Sequence, residues 1–160
     1  MRRTLALLVL ALSGHAAIAA PDYIDDRSTP AALIRSLYNA ISLHHYARAW
    51  SYFAHPEKNG DYADFAKGYA DTAEASVTIG PVTSEGAAGS IYTTLGVTVS
   101  ARTRDGKTES FGGCYVTRQI QPAIQEPPFT PLQIVTGHLI ARPADDAMPA
   151  SCDEQGQPQF

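Results

Sequence analysis

The sequence has few basic residues and no segment in which they gather. Its 160 residues include 12 Lys and Arg against 16 Asp and Glu, which gives a formal net charge of -4 at pH 7. Arg2 and Arg3 stand side by side, and the other basic residues are scattered along the chain. Proteins that bind nucleic acid use a basic patch or stripe to neutralise phosphates. We therefore predict no nucleic-acid partner.

The motifs of common enzyme and metal sites are also missing. The sequence has no phosphate-binding loop, dinucleotide fingerprint, calcium loop or nucleophile elbow. Adjacent residues on a helix point about 100° apart. His44 and His45 therefore cannot hold one ion as an i, i+4 pair does, and His55 and His138 would have to be gathered by folding. We predict no metal, no cofactor and no catalytic residue on the basis of motifs.

The sequence has no segment that is long and apolar enough to span a membrane as a helix. The apolar run Leu5 to Leu12 is far shorter than the ~20 residues that cross a bilayer as a helix. It follows Met1 to Arg3, which is basic, and precedes the small-x-small site Ala17 to Ala19. This order is typical of a secretory signal peptide cleaved after Ala19, the alternative being a buried N-terminal helix. We expect residues 1–19 to be a signal peptide and the protein to be periplasmic or secreted.

Cysteine is scarce, with only Cys114 and Cys152. In an oxidising compartment, such a pair favours a disulfide. Cys114 lies in a strand-like segment and Cys152 in a polar tail, residues 144–160, so a bridge would hold the tail against the sheet. The alternative is a free or redox-active thiol, although no Cys-x-x-Cys motif is present. We predict a main domain over residues 20–143 and a disulfide-tethered tail over residues 144–160.

The chain between Thr29 and Tyr69 has the apolar spacing of short helices. Thr29 and Pro30 suit an N-cap and a first helical position. Asp61 with Asp64 suits the start of a later helix. The three predicted apolar faces are Leu33, Ile34, Leu37, Tyr38 and Ile41; Tyr46, Ala49, Trp50 and Phe53; and Tyr62, Phe65 and Tyr69. Three short helices rich in aromatic residues therefore precede the rest of the domain, and we expect Trp50 to lie in the core.

The chain after about Ala75 alternates as strands do. Asp105-Gly106 favours a two-residue hairpin turn, which would place Arg104 opposite Lys107. The cross-strand pairs expected from this turn are Arg102 with Glu109, Val97 with Cys114, Leu95 with Val116 and Ile91 with Ile120. Apolar residues then meet on one face, and the sequence predicts a hairpin with a buried side.

This register also assigns residues to faces. It puts Cys114 on the apolar face and leaves that face without Asp or Glu, since Glu109 lies on the other side. Tyr92, Phe111 and Tyr115 fall together on the outer face, where they could form a homodimer contact. Gly112-Gly113 indicates a bulge or bend that curves the sheet.

The segments Tyr38-Asn39-Ala40-Ile41 and Tyr46-Ala47-Arg48-Ala49-Trp50 resemble the opening of NTF2-like domains, a superfamily of cystatin-like cones. The resemblance covers about Thr29 to Arg142. It implies an α+β fold in which N-terminal helices pack on a curved antiparallel sheet, with a cavity between the layers. The Gly-Gly-Cys-Tyr and Pro-Pro-Phe-x-Pro segments are also similar to exported alphaproteobacterial proteins of unassigned function. NTF2-like proteins include isomerases, dehydratases, hydrolases and non-catalytic binding modules, so the resemblance leaves function open.

Three functional hypotheses remain at this point. The first is an exported, non-enzymatic NTF2-like domain that binds a small apolar ligand or a protein partner, with Tyr38, Tyr69 and Phe65 as the ligand-binding residues. The second is an enzyme of the lyase or isomerase type that uses Tyr38 with a histidine. The third is a structural subunit of an envelope assembly. The missing carboxylate on the apolar face favours the first.

Overall fold

The computed structural model describes residues 22–55 and 60–160, so the predicted signal peptide lies outside the described residues. Helices come first and strands follow, which confirms the α+β class. The main elements are α1 (Pro30–Ser42), α2 (Tyr46–Trp50), α3 (Tyr62–Gly68), β1 (Thr72–Ala87), β2 (Ser90–Thr103), β3 (Thr108–Ile120) and β4 (Leu132–Ala141). The four strands form one antiparallel sheet in the order β1-β2-β3-β4. No helix within the described ranges is long and apolar enough to cross a membrane.

Helix α1 begins as its sequence predicts. The Thr29 hydroxyl accepts a hydrogen bond from the Ala32 N–H at 3.1 Å, and Pro30 occupies the first turn, where its missing N–H costs nothing. The predicted apolar stripe is buried against the sheet. Burying such a stripe contributes more to a short helix than its intrinsic propensity does. Helix α1 is therefore the central element of the core.

Helices α2 and α3 carry an aromatic cluster on their facing sides. Phe65 packs against Trp50, Phe53 and Tyr69, with ring centroids 5.0, 6.0 and 5.1 Å away. The expectation that Trp50 lies in the core is wrong, because its indole is partly exposed at the edge of this cluster. The aromatic residue of this segment that is fully buried is instead Tyr52, which follows α2.

The β2–β3 hairpin is slipped by one residue from the predicted register. Leu95 pairs with Tyr115, Gly96 with Cys114 and Arg102 with Thr108. The turn explains the difference, because it has three residues between Thr103 and Lys107. The Gly106 N–H donates to the Thr103 carbonyl at 2.9 Å, and the Thr103 N–H donates to the Lys107 carbonyl at 2.8 Å.

The backbone dihedrals show why Asp105-Gly106 did not form the two-residue turn. That turn would need a positive φ at both central residues. Gly106 has a φ of +87°, whereas Asp105 is not among the described residues with a positive φ. Its carboxylate instead accepts hydrogen bonds from the Thr103 hydroxyl and, at 3.4 Å, from the Lys107 N–H. The result is a β-turn followed by a left-handed glycine, the usual three-residue hairpin.

A slip of one residue exchanges the two faces of β3. Phe111 and Tyr115 lie with Leu95, Val97 and Val99 against the helices. Cys114 lies on the opposite face, which corrects the prediction that it shares the apolar face of the core. Phe111 and Tyr115 also no longer share a face with Tyr92, so those three residues cannot form the predicted dimer contact together.

Of the predicted bulge or bend at Gly112-Gly113, the bulge is wrong. The β2–β3 pairing runs unbroken through these residues, and the irregularities of the sheet fall between Thr72 and Glu74, between Ile79 and Val82 and between Val116 and Thr117. Glycine is needed at Gly112 for another reason. A Cβ atom there would collide with the Ala147 carbonyl, because the tail crosses the strand at this point.

The tail lies across the sheet face that is opposite to the helices. Three glycines, one from each of β1, β2 and β3, leave room for it: the Met148 side chain lies over Gly80, the Pro149 ring over Gly96 and the Ala147 backbone over Gly112. The tail continues into a small hairpin of β5 (Ser151–Cys152) and β6 (Pro158–Gln159). The predicted disulfide is confirmed, with the Cα atoms of Cys114 and Cys152 6.0 Å apart.

The disulfide predicts a measurable share of the stability. It joins residues separated by 38 positions, for which the chain-entropy model gives roughly 3–4 kcal/mol of unfolding free energy. We expect the double variant Cys114→Ala/Cys152→Ala to lose about that much in urea denaturation monitored by far-UV circular dichroism. Wild-type protein with reductant is the matched control and should fall to the same level. Equal midpoints for the variant and the oxidised wild type would contradict the tethering role.

Candidate functional site

A cavity of about 610 Å³ lies between the helices and the sheet. All three residues predicted to bind a ligand, Tyr38, Phe65 and Tyr69, line it. The lining residues come from α1, α3 and the segment after it, and all four strands: Tyr38, Asp64, Phe65, Gly68, Tyr69, Asp71, Thr72, Ala75, Val99, Ala101, Thr103, Glu109, Phe111 and Leu139. The walls are mainly apolar and aromatic, and the charged residues among them are Asp64, Asp71 and Glu109.

Helix α3 holds two of the aromatic walls. The Asp61 carboxylate caps the helix by accepting from the Asp64 N–H at 2.8 Å. The helix then presents Phe65 and the following Tyr69 on one face, where their rings pack on each other. Behind Phe65, Trp50 and Phe53 complete the packing. Local capping and aromatic packing together fix these walls.

A buried pair of phenols joins α1 to the sheet, and one of the two, Tyr38, lines the cavity. The hydroxyls of Tyr38 on α1 and Tyr115 on β3 are hydrogen bonded at 2.7 Å, and the two side chains are 2% and 3% exposed. Their rings meet edge to face, with centroids 6.3 Å apart. Gly137 pairs with Tyr115 across the β3–β4 ladder, and a Cβ there would collide with the Tyr115 ring. The absence of a side chain at Gly137 therefore leaves room for the pair.

Proton counting leaves this pair with one unused donor. Each phenol has one O–H, and either oxygen can be the donor in the bond between them. One O–H is thus engaged, and the other has no acceptor among the described residues. When Tyr115 donates, the free proton belongs to Tyr38, which lines the cavity.

Burial keeps these phenols neutral. It raises the pKa of Tyr38 well above the usual value of 10.0, and the neighbouring Tyr115 adds to the shift. Burial also raises the pKa of Tyr115 and that of Tyr69. A neutral phenol donates a hydrogen bond but does not accept a proton. Tyr38, which lines the cavity, can therefore orient a polar atom of a ligand by hydrogen bonding.

The histidines lie elsewhere. His44 has a left-handed φ of 56° and ends α1, with the N–H of His44 and of His45 donating to the Ile41 and Ala40 carbonyls. His138 pairs with Cys114 on the tail side of the sheet. No histidine is among the cavity-lining residues of ranges 22–55 and 60–160. The predicted combination of Tyr38 with a histidine is thus not found within this part of the chain, where no metal-binding group of His, Cys, Asp or Glu is found either.

Sequence reasoning missed Tyr115 and Glu109. Both were assigned to the outer face because the hairpin was given the wrong register. Glu109 in fact lies at the cavity, and its carboxylate accepts from Lys107 Nζ at 2.7 Å. The sequence signal that could have found them is the run of odd-numbered residues, Leu95, Val97, Val99, Phe111 and Tyr115, which share one face only in the observed pairing.

The losses of stability from removing the two hydroxyls of the phenol pair should not add. We expect Tyr38→Phe and Tyr115→Phe each to lose about 1–3 kcal/mol of unfolding free energy, because each leaves a buried hydroxyl without its partner. The double variant should lose less than the sum, since it buries no unpaired group. Urea denaturation of all four proteins measures the coupling between the two sites. Additive losses would show that the hydrogen bond has no such role.

Alkaline pH should destabilise the protein through the same residues. Their pKa is raised in the folded state, so the folded protein holds these protons more tightly than the unfolded chain. The stabilising contribution is complete below pH 10 and is lost as the pH rises above it, by about 1.4 kcal/mol per pH unit for each such tyrosine. Tyr52, whose pKa burial raises to about 12, acts in the same direction. Urea midpoints from pH 8 to 11 should fall less steeply in Tyr38→Phe/Tyr115→Phe; parallel curves would contradict this.

No protein-family model, no curated protein and no solved structure matches this chain.

Proposed function

We propose that this protein is an exported, non-enzymatic NTF2-like domain that binds a small, largely apolar ligand in the cavity between its helices and its sheet. The observation that carries the proposal is the cavity of about 610 Å³, which is lined by aromatic residues and includes Tyr38 of the buried phenol pair. Ligand sites are commonly concave and mostly apolar, with a few polar groups that fix orientation, and enclose about 300–1,000 Å³. The cavity meets each of these conditions.

The lining residues indicate the shape and polarity of the ligand. Phe65, Tyr69 and Phe111 offer ring faces and edges to a flat or ring-shaped apolar body. Tyr38 offers its O–H to an oxygen acceptor on the same ligand, such as a hydroxyl, ether or carbonyl oxygen. A bound acceptor would engage the donor that the protein leaves unused, and burial strengthens such a bond.

Two further observations support parts of the proposal. Helices packed on an antiparallel sheet, with the cavity between them, agree with an NTF2-like architecture. The Cys114–Cys152 disulfide agrees with an oxidising compartment such as the periplasm.

The neighbours of Tyr38 favour binding over catalysis. Its hydroxyl bonds to a second neutral phenol, where an isomerase or lyase would place a group able to take up a proton. Carboxylates do line the cavity, at Asp64, Asp71 and Glu109, but the hydroxyl of Tyr38 is hydrogen bonded to Tyr115 and to none of these three. The cavity is therefore equipped to hold and orient a ligand.

Filling the cavity should abolish binding of a neutral aromatic probe. We choose 1-naphthylmethanol, which has a flat apolar body and one oxygen, measured by ligand-observed NMR and isothermal titration calorimetry. Ala101 lines the cavity from β2, so Ala101→Phe should lower the affinity at least about tenfold, the effect of losing about 1.4 kcal/mol. Ala144→Phe, at an exposed position in the tail, is the control and should bind as wild type. Failure of the wild type to bind, or equal binding by Ala101→Phe, would contradict the proposal.

A further inference from the structure

The charged residues of the cavity all have the same sign. Asp64, Asp71 and Glu109 line it, and no Lys or Arg is among its lining residues in the part of the chain that is described. Asp64 and Asp71 are exposed, and Glu109 is partly exposed, so the three carboxylates lie where the cavity meets solvent. These three residues form what we call the mouth of the cavity. Because its charge is negative, the mouth attracts a cation and repels an anion.

Two of these carboxylates have no cationic partner. Glu109 is paired with Lys107 Nζ at 2.7 Å. Asp64 and Asp71 form no ion pair within ranges 22–55 and 60–160. The Asp71 carbonyl accepts from the Arg104 N–H at 3.0 Å, which ties the residue to the β2–β3 turn beside the cavity. Two acidic charges are thus held at the mouth and remain available to a ligand.

An independent observation concerns Tyr38, which lines the same cavity. The Tyr38–Tyr115 pair is more than nine-tenths buried and keeps one O–H without an acceptor among the described residues. The aromatic rings of Phe65, Tyr69 and Phe111 line this cavity as well. The negative faces of such rings attract cations, as aromatic cages for quaternary ammonium groups do.

We propose that the ligand is a hydrophobic amine, with its apolar ring among Phe65, Tyr69 and Phe111 and its ammonium group at the Asp64 and Asp71 carboxylates. This inference rests on the proposed function, because it assigns a charge to the ligand of the same cavity. Anionic amphiphiles such as fatty acids or aromatic carboxylates are disfavoured, since their carboxylate would meet either the acidic mouth or the apolar interior.

Three probes of one shape test the charge. 1-Naphthylmethylamine is cationic at pH 7, 1-naphthylmethanol is neutral and 1-naphthoate is anionic, and all carry the same ring system. We expect the wild type to bind the amine about tenfold more tightly than the alcohol at low salt, and the naphthoate most weakly. Raising the NaCl concentration to 0.5 M should reduce the preference for the amine, because the carboxylates are exposed and salt screens them. Isothermal titration calorimetry gives all of these affinities.

Variants at the mouth assign the preference to particular residues. In Asp64→Asn/Asp71→Asn the ratio of amine to alcohol affinity should fall close to one. Asp145→Asn removes one negative charge from an exposed position in the tail and should leave the ratio of amine to alcohol affinity unchanged. A ratio that falls equally in both variants would assign the effect to net charge and overturn the inference.

The outcomes separate this inference from the proposed function. If the alcohol binds in a manner that Ala101→Phe abolishes, but the amine binds no more tightly, the cationic ligand is wrong and the binding cavity stands. If none of the three probes binds the wild type, the proposed function and this inference both fail. Tighter binding of the naphthoate than of the amine would overturn the charge assignment alone.

Discussion

The hydrogen bond between Tyr38 and Tyr115 is the contact on which the two layers depend. It joins α1 to β3 across 77 positions of sequence, and both hydroxyls are buried away from any other described partner. Because an unpaired buried hydroxyl is costly, each tyrosine requires the other at hydrogen-bond distance. The bond thereby fixes the distance between α1 and the sheet at these two side chains. The aromatic cluster of α2 and α3 packs beside the same cavity.

The opposite side of the sheet depends on the same strand. Successive residues of a strand point to opposite faces, so Tyr115 faces α1 while Cys114 faces the tail. One register therefore sets both the phenol pair and the disulfide. Glycines on the tail side of β1, β2 and β3 let the tail, by its side chains at β1 and β2 and by its backbone at β3, lie close to the sheet. The sheet is consequently covered on both faces, by helices on one and by a covalently held segment on the other.

Local patterns were enough to predict α1, the aromatic face of α3, the disulfide and the cavity-lining aromatic residues Tyr38, Phe65 and Tyr69, but not Phe111. Each depends on spacing within a few residues or on the pairing of two cysteines. The register of the hairpin could not be predicted in the same way, because Asp105-Gly106 suits either a two-residue or a three-residue turn. Both registers also bring apolar residues together, Val97 with Cys114 in one and Leu95 with Tyr115 in the other. The side chain of Asp105 decided between them by bonding to Thr103 and Lys107.

That single choice also determines what the cavity can do. In the predicted register Glu109 would lie outside the cavity, and the phenol pair would not form. In the observed one, Tyr38 and the carboxylates of Asp64, Asp71 and Glu109 line one cavity, and burial keeps the phenol neutral. A ligand bound there would meet groups that the fold holds in place before it arrives. The register of one hairpin therefore decides both whether the phenol pair forms and which carboxylate reaches the cavity.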